Sequence, residues 1–259
     1  LIGVFDSGFG GLSVLDAIAQ LLPRADLAYL ADTAHVPYGE KSDDFITGRV
    51  LAIGQHLASQ GCNLIVVACN TATTTAIQAL RDHLHGIPIV GIEPGVKPAA
   101  QTSQTRHIAV LATEATANSK RLAHLIATHA AHVRVDVVPC PGWATHVETL
   151  KPFTGEFRAE VADKIRPLLE AGVDRIVLGC THYAFLKPMI QPLLPAHVEL
   201  VDVAEAVARQ VVRLGGERHG RSELILQATA RPQRLQVALP MLGLTTLAER
   251  SVPAQLVRP

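Results

Sequence analysis

SQGCNLIVVACNT (residues 59–71) and EAGVDRIVLGCTH (170–182) carry one pattern twice, 111 positions apart. In each, a glycine precedes a short aliphatic run, and the run ends at a cysteine followed by polar side chains. Such runs, without polar alternation, read as strands covered on both faces in a parallel sheet. The identities are Gly61/Gly172, Ile65/Ile176, Val66/Val177 and Cys69/Cys180, and Val50/Val161 and Leu57/Leu168 keep the register through the preceding helix. A second offset, of 106, lays LIGVFDSG (1–8) on HIAVLATE (107–114), matching Ile2 with Ile108 and Val4 with Val110 and setting Ser7 opposite Thr113. Short βα units resemble one another by chance, and it is the coincidence of the two cysteines that favours duplication.

Outward from these stretches, short β-branched runs alternate with amphipathic ones. IGVF, a helix over 11–22, LAYLAD, a helix over 42–60, NLIVVAC, a helix over 72–84 and IPIVGI form a first series. After IEPGVKPA come HIAVLA, a helix over 117–130, VRVDVVPC, a helix over 156–171, DRIVLGC and HVELVD. Repeated βα alternation implies a parallel sheet in an α/β fold. The expected division places a first lobe at 1–96 and a second at 97–205, with the boundary near Pro94–Pro98. Residues 206–259, with a helix in AEAVARQVVRLGG, a strand in ELILQAT and a terminal helix, are expected to return to the first lobe.

Composition bounds the function. The 259 residues suit one large α/β domain or two packed lobes. Lysine plus arginine number 23 and aspartate plus glutamate 23, so no global field draws the chain to nucleic acid or an anionic membrane. Hydrophobic residues make up 48% and charged residues 18%, which excludes disorder and low complexity. The opening LIGVFDSGFGG has neither the basic start nor the apolar stretch of a signal peptide, and no run approaches a membrane span, so a cytoplasmic protein is expected. Cys62, Cys69, Cys140 and Cys180 are too few for a disulfide scaffold and are expected as thiols.

Cys69 and Cys180 follow their strands at the carboxyl edge of the sheet, where open α/β folds bind ligands. A helix starting there would aim its free N–H groups at each thiol, lowering its pKa and holding an anion. One such cysteine reads as a small buried hydrophobe; two at matching positions read as functional. Asn70, Thr71, Thr73, Thr74 and Thr75 after the first, and Thr181, His182 and Tyr183 after the second, are cap residues, yet too many for capping alone. Asp6 and Ser7 close the first strand, Asp6 as helix cap or site residue. His182 could stabilise or reprotonate Cys180. A zinc site would need a second ligand pair that the chain lacks. GFGGLS (8–13) with Asp32 hints at dinucleotide binding, but Ser13 replaces the third glycine and Asp6 would repel the pyrophosphate.

FDSGFGGLSVL (5–15), ADTAHVPYGEKS (31–42), VVACNTATTTA (66–76), GIEPGVKPA (91–99), LATEAT (111–116) and VLGCTHYAFL (177–186), in this order, resemble the glutamate racemases of the aspartate/glutamate racemase superfamily. The resemblance implies two pseudo-symmetric, Rossmann-like α/β lobes with mostly parallel sheets and an interlobe active site. It implies interconversion of L- and D-glutamate without cofactor or metal, supplying D-glutamate for peptidoglycan, and a homodimer. By the same resemblance Cys69 deprotonates D-glutamate with help from Asp6, and Cys180 deprotonates L-glutamate with help from His182. Glu148 is the second-lobe carboxylate near that thiol. Substrate contacts fall to Ser7, Tyr38, Gly39, Asn70, Thr71, Thr113, Thr116, Thr181 and His182. In PCPGWATHVE (139–148), Trp143, Thr145 and His146 stand where the family more often has apolar residues. Cys62 is expected to be structural and Cys140 to lie near the cleft without acting on substrate.

Inversion needs one proton removed from one face of the α-carbon and one delivered to the other, which a pair of thiols can do. An aspartate racemase would share the pair and differ in substrate length. A noncatalytic amino-acid binder would not need both thiols, and a cysteine hydrolase built on Cys180 and His182 would leave Cys69 unexplained. The chain begins directly at its first strand, so no N-terminal regulatory extension is expected.

Overall fold

In the computed structural model, which describes residues 1–216 and 220–259, the chain forms two compact α/β units, Leu1–Ile92 with Ala204–Pro259, and Glu93–Val203. The first unit contains β1 (Ile2–Asp6), α1 (Leu12–Leu21), β2 (Leu27–Ala31), α2 (Asp43–Ser59), β3 (Leu64–Val67), α3 (Asn70–His83) and β4 (Ile89–Gly91). The second contains α4 (Val96–Thr102), β5 (His107–Ala112), α5 (Glu114–Ala117), α6 (Lys120–His129), β6 (Arg134–Pro139), α7 (Trp143–Glu148), α8 (Gly155–Glu170), β7 (Arg175–Leu178), α9 (Lys187–Ile190) and β8 (Glu199–Val201). The chain then adds α10 (Ala204–Gly215), β9 (Leu224–Ala228), α11 (Pro232–Met241), α12 (Thr245–Arg250) and β10 (Gln255–Leu256) to the first unit.

Strand order is β10-β9-β2-β1-β3-β4 in one sheet and β6-β5-β7-β8 in the other, and every pairing is parallel. The four strands that open each series are thus arranged alike, as second, first, third, fourth. The register repeats too. Ile2 lies opposite Leu64 in β1–β3 and Ile108 opposite Arg175 in β5–β7, and these pairs coincide under the offsets 106 and 111. The bonds that close the strand ends match: Ala68 N–H donates to Phe5 O at 2.8 Å and Gly179 N–H to Leu111 O at 2.7 Å. So do the turns into β3 and β7, where Gly61 and Gly172 take φ of 85° and 86°. There Cys62 N–H reaches Leu57 O at 3.1 Å and Val173 N–H reaches Leu168 O at 3.0 Å. A left-handed residue ending a helix favours glycine, which explains why this letter survives in both repeats.

Both faces of the first sheet are covered. Phe5, Leu30, Ile65 and Val67 pack with Val50, Ile53 and Leu57 of α2 and Ile77 and Leu80 of α3 in one buried cluster, while α10 packs on α1. Cys62 belongs to that cluster, and burial pushes its thiol up to about 11. In the second unit Ile108, Val110 and Val177 pack with Val96, Ala99 and Leu122. The helix expected over 117–130 is α6, which starts at Lys120 because Ser119 caps it, accepting from Leu122 N–H at 3.1 Å.

The end of β2 holds a buried charge network. Asp32 accepts from Tyr38 Oη at 2.6 Å, Arg49 Nε at 2.9 Å and Thr229 Oγ1 at 2.7 Å, and pairs with His35 Nδ1 at 2.9 Å. Burial alone would raise its pKa, but these partners outweigh it and hold the carboxyl below the usual range. A carboxylate so committed has no acceptor left for a ribose. The other half of the dinucleotide reading fails at β1, where Asp6 Oδ2 itself accepts Gly11 N–H at 2.7 Å. A carboxylate occupies the turn a pyrophosphate would need.

Asp32→Asn leaves the largely buried Arg49 without its counter-charge and is expected to destabilise the protein by about 3 kcal/mol, read from denaturant unfolding. Because the native pKa is depressed, the stabilisation of Asp32 is present above about pH 3.9 and is lost as pH falls through the lower native value. The variant should therefore unfold with less acid dependence than the parent.

Candidate active site

In a sheet whose second strand lies on one side of the first and whose third lies on the other, the ligand crevice is at the carboxyl end, where the order reverses. That point falls between β1 and β3 in the first unit and between β5 and β7 in the second. Ser7 and Cys69 stand at the first, and Thr113 and Cys180 at the second.

The first thiol is 5% exposed. It caps α3, its Sγ accepting from Ala72 N–H at 3.5 Å, and it lies 3.8 Å from Ser7 Oγ. The expected lowering of its pKa by the helix start does not prevail: burial, then the adjacent Asp6 charge, raise it well above the ordinary value, while the Ala72 and Ser7 bonds oppose. The protonated thiol is the favoured form there. Asn70 and Thr71 lie in the first turn of α3, and Asn70 Oδ1 is buried without a hydrogen-bond partner among the described residues. An orphaned amide oxygen costs about 1–3 kcal/mol unless a donor arrives, so this atom is suited to a ligand N–H.

Two expected polar contacts are committed elsewhere. Thr73 Oγ1 donates to Val67 O and accepts Ile92 N–H, both at 3.2 Å, tying β3 to β4. Tyr38 is buried and its hydroxyl is given to Asp32, so its side chain has no free proton to offer. Burial, chiefly, pushes that phenol far above its ordinary value.

Cys180 is built differently. No α-helix starts behind it; a 3-10 turn, Thr181–Leu186, follows, and the thiol makes no cap hydrogen bond. The expected helix N-terminus is replaced by side chains. Cys180 Sγ lies 3.7 Å from His182 Nδ1, and His182 Nε2 lies 2.7 Å from Glu148 Oε2. His182 is 5% exposed. Burial would lower its pKa, yet Cys180 and Glu148 together hold it well above the usual imidazole value, so the ring stays a cation against the thiol. Thr113 Oγ1 caps α5, accepting from Thr116 N–H at 3.3 Å and donating to Thr116 Oγ1 at 3.1 Å. Thr116 and Thr181 are buried, and Gly39 sits in the 3-10 turn Tyr38–Glu40.

Cys140, buried at the end of β6, occupies the repeat position of Asp32: its N–H bonds Ala112 O at 2.9 Å as that of Asp32 bonds Asp6 O, also at 2.9 Å. Burial pushes its thiol up to about 12. The sequence did not single out Arg49 or Thr229 as partners of Asp32, and no local signal could, because Thr229 is 197 positions away.

The Asp/Glu/Hydantoin racemase family matches residues 2–211. The chain belongs to that family. It is an isomerase, and its relatives narrow the class. The glutamate racemase of Ectopseudomonas mendocina (strain ymp) is 46% identical over 246 residues, covering 93% of this chain and 94% of that protein. The glutamate racemase of Pseudomonas entomophila (strain L48) is 44% identical over 257 residues, covering 97% of each. Escherichia coli glutamate racemase, solved with L-glutamate and the activator UDP-MurNAc-ala, superposes with a TM-score of 0.86 at 32% identity, over 100% of this chain and 98% of that one. An aspartate racemase from Picrophilus torridus matches at a TM-score of 0.53 and 16% identity, which speaks to the fold alone.

Within this racemase-family chain the His182–Glu148 contact is measurable directly. The native pKa of His182 stands above the unfolded value of about 6.5, so its stabilisation is complete below about pH 6.5 and is lost as pH rises through the native value. Glu148→Gln removes the counter-charge, and the imidazole signal of His182 in an NMR titration is expected to shift its midpoint to lower pH. An unchanged midpoint would show that Glu148 does not hold the charge of His182.

Proposed function

We propose that this chain is a glutamate racemase that inverts the α-carbon with two cysteines and no organic cofactor or metal. The observation that carries the reading is a thiol at the same strand-end position of two repeated units, each with its own proton-handling partners. Glutamate, rather than aspartate, is supported by the relatives, which are glutamate racemases over nearly the whole chain.

In the L-to-D direction Cys180 acts as thiolate beside the His182 cation and takes the α-proton. Cys69, held as thiol by burial and by Asp6, gives its proton to the opposite face. The C–H electron pair stays on the α-carbon until the new proton arrives, so no redox partner is involved. The turnover leaves Cys180 as thiol and Cys69 as thiolate, and the reverse reaction starts from that form. Removing an α-proton beside a carboxylate is difficult, so positioned donors must stabilise the developing charge. Ser7, Asn70, Thr71, Thr113, Thr116, Thr181, His182 and the main chain at Tyr38–Gly39 are the groups proposed to hold the substrate. Asn70 Oδ1, which has no donor among the described residues, suits the ammonium.

D-glutamate made in this way would serve peptidoglycan synthesis. All four cysteines are free thiols, which suits a reducing cytoplasm, and among the described residues no helix is long and apolar enough to cross a membrane. A homodimer belongs to the same reading.

The test is incubation with L-glutamate, and separately L-aspartate, in D2O without pyridoxal phosphate or metal. Deuterium incorporation with inversion of glutamate is expected, and inversion of aspartate alone would move the substrate assignment. Cys69→Ser and Cys180→Ser should each lower steady-state racemisation by at least about a thousand-fold; near-normal turnover by either excludes the two-base mechanism. Cys62→Ser, by contrast, should leave kcat/KM unchanged and lower the unfolding free energy by about 1–3 kcal/mol, because a hydroxyl replaces a buried apolar sulfur.

A further inference from the structure

We propose that Trp143, His146 and Phe157 are positioning residues for the Cys180 proton relay: they clamp the short helix α7 and thereby set the Glu148 carboxylate against His182. The proposal rests on the racemase reading and assigns a purpose to side chains that reading leaves unused.

Helix α7 is six residues long and starts from Gly142 in the left-handed region, with φ of 81° and no side-chain cap. A helix of that length has too few internal hydrogen bonds to hold itself, so its placement comes from tertiary contacts. Those contacts are aromatic. Trp143 is fully buried, donates from Nε1 to Glu160 on α8 at 3.0 Å, and meets the ring of Tyr183 edge-on at 5.5 Å. One turn on, His146 stacks on Phe157 at 3.7 Å with the planes 11° apart. Its Nε2 lies 3.0 Å from Pro152 O, which requires that nitrogen to carry the proton. Phe153 lies beside the stacked pair, 5.8 Å from the His146 ring and 6.0 Å from that of Phe157.

The contacts to Phe157 and Glu160 tie α7 to a longer element. Phe157 and Glu160 belong to the sixteen-residue α8. Tyr183 adjoins His182 and is itself anchored, donating from its hydroxyl to Cys140 O at 3.1 Å. Trp143 therefore touches both ends of the dyad, the helix that carries Glu148 and the turn that carries His182. The Glu148–His182 distance of 2.7 Å leaves little tolerance, and a misplacement of about 1 Å can cost on the order of a hundred-fold in rate.

Titratable groups on the elements packed around His182 are few. Glu148 and His146 lie on α7, Cys180 precedes the turn, and Tyr183 is within it. Lys187 on α9 is paired with Asp202 at 2.5 Å, and Arg175 on β7 with Glu199 at 3.3 Å and Asp174 at 3.6 Å. Glu148 is thus the carboxylate through which a change in α7 reaches the imidazole.

The test compares His146→Ala, His146→Phe, Glu148→Gln and the double variant His146→Ala/Glu148→Gln, each checked for folding by circular dichroism and thermal melting. The readout is kcat/KM for glutamate across pH. L- and D-glutamate are equal in free energy, so kcat/KM is the same in both directions and one direction suffices. His146→Ala is expected to lower kcat/KM about ten-fold and move the alkaline limb, where His182 gives up its proton, to lower pH. His146→Phe keeps the stacked ring and should restore both. In the Glu148→Gln background His146→Ala should add little, as expected of residues acting through one contact. A wild-type alkaline limb in His146→Ala, or losses that multiply in the double variant, overturns the positioning role and leaves the racemase reading intact. A Glu148→Gln enzyme with unchanged rate and unchanged limb removes the dyad, and the positioning role falls with it.

Discussion

The parallel register between a unit's first and third strands is the constraint on which the rest depends. With Ile2 opposite Leu64, β3 ends level with β1, so Cys69 emerges beside Ser7 and Asp6. With Ile108 opposite Arg175, β7 ends level with β5, and Cys180 emerges beside the turn that holds Thr113. A slip of one residue in either pair would turn every following side chain to the other face and withdraw the thiol from the crevice. The glycine turns before β3 and β7 and the matched strand-end bonds hold that register in both units.

On this shared frame the two thiols have opposite electrostatic surroundings. Cys69 is enclosed, with a carboxylate nearby and only weak donors at the sulfur, so the neutral thiol is favoured. Cys180 has an imidazole on one side, and that imidazole has a carboxylate on its own far side. Two thiols at matching strand-end positions are therefore unlike in their neighbours. The same divergence appears at the neighbouring strand ends, where the position filled by Asp32 in one unit holds Cys140 in the other. Asp32 has become the centre of a network reaching Arg49, Tyr38 and Thr229. Cys140 is a buried thiol whose carbonyl accepts from the Tyr183 hydroxyl.

Legibility followed the range of the interactions. The alternation of βα units, the two buried strands ending in cysteine and the paired glycines are local patterns, and local patterns are what hydrophobic periodicity and backbone preference record. His182 could be read as a partner of Cys180 because they are two residues apart. The partnership of Glu148 with His182 spans 34 positions, and only the family resemblance pointed to it. The threonine run after Cys69 misled in one respect: Thr73 looks like its neighbours in sequence, but its place on α3 turns its hydroxyl to the ends of β3 and β4. Tyr38 misled likewise, since nothing near PYG announces that Asp32 takes the phenol proton.

The sequence by itself determined a parallel α/β chain with an internal repeat and two strand-end thiols, because each of these features is written in spacing over a few residues. Tertiary structure alone decided the protonation bias of Cys69 and of His182 and the commitment of the polar residues around them. Burial and hydrogen bonding depend on side chains tens to hundreds of positions apart, and no local pattern records which of them the fold brings within about 3 Å. A cysteine after a strand is the same letter at 69 and 180; at one it meets a helix start with Asp6 nearby, and at the other a 3-10 turn with His182 and Glu148.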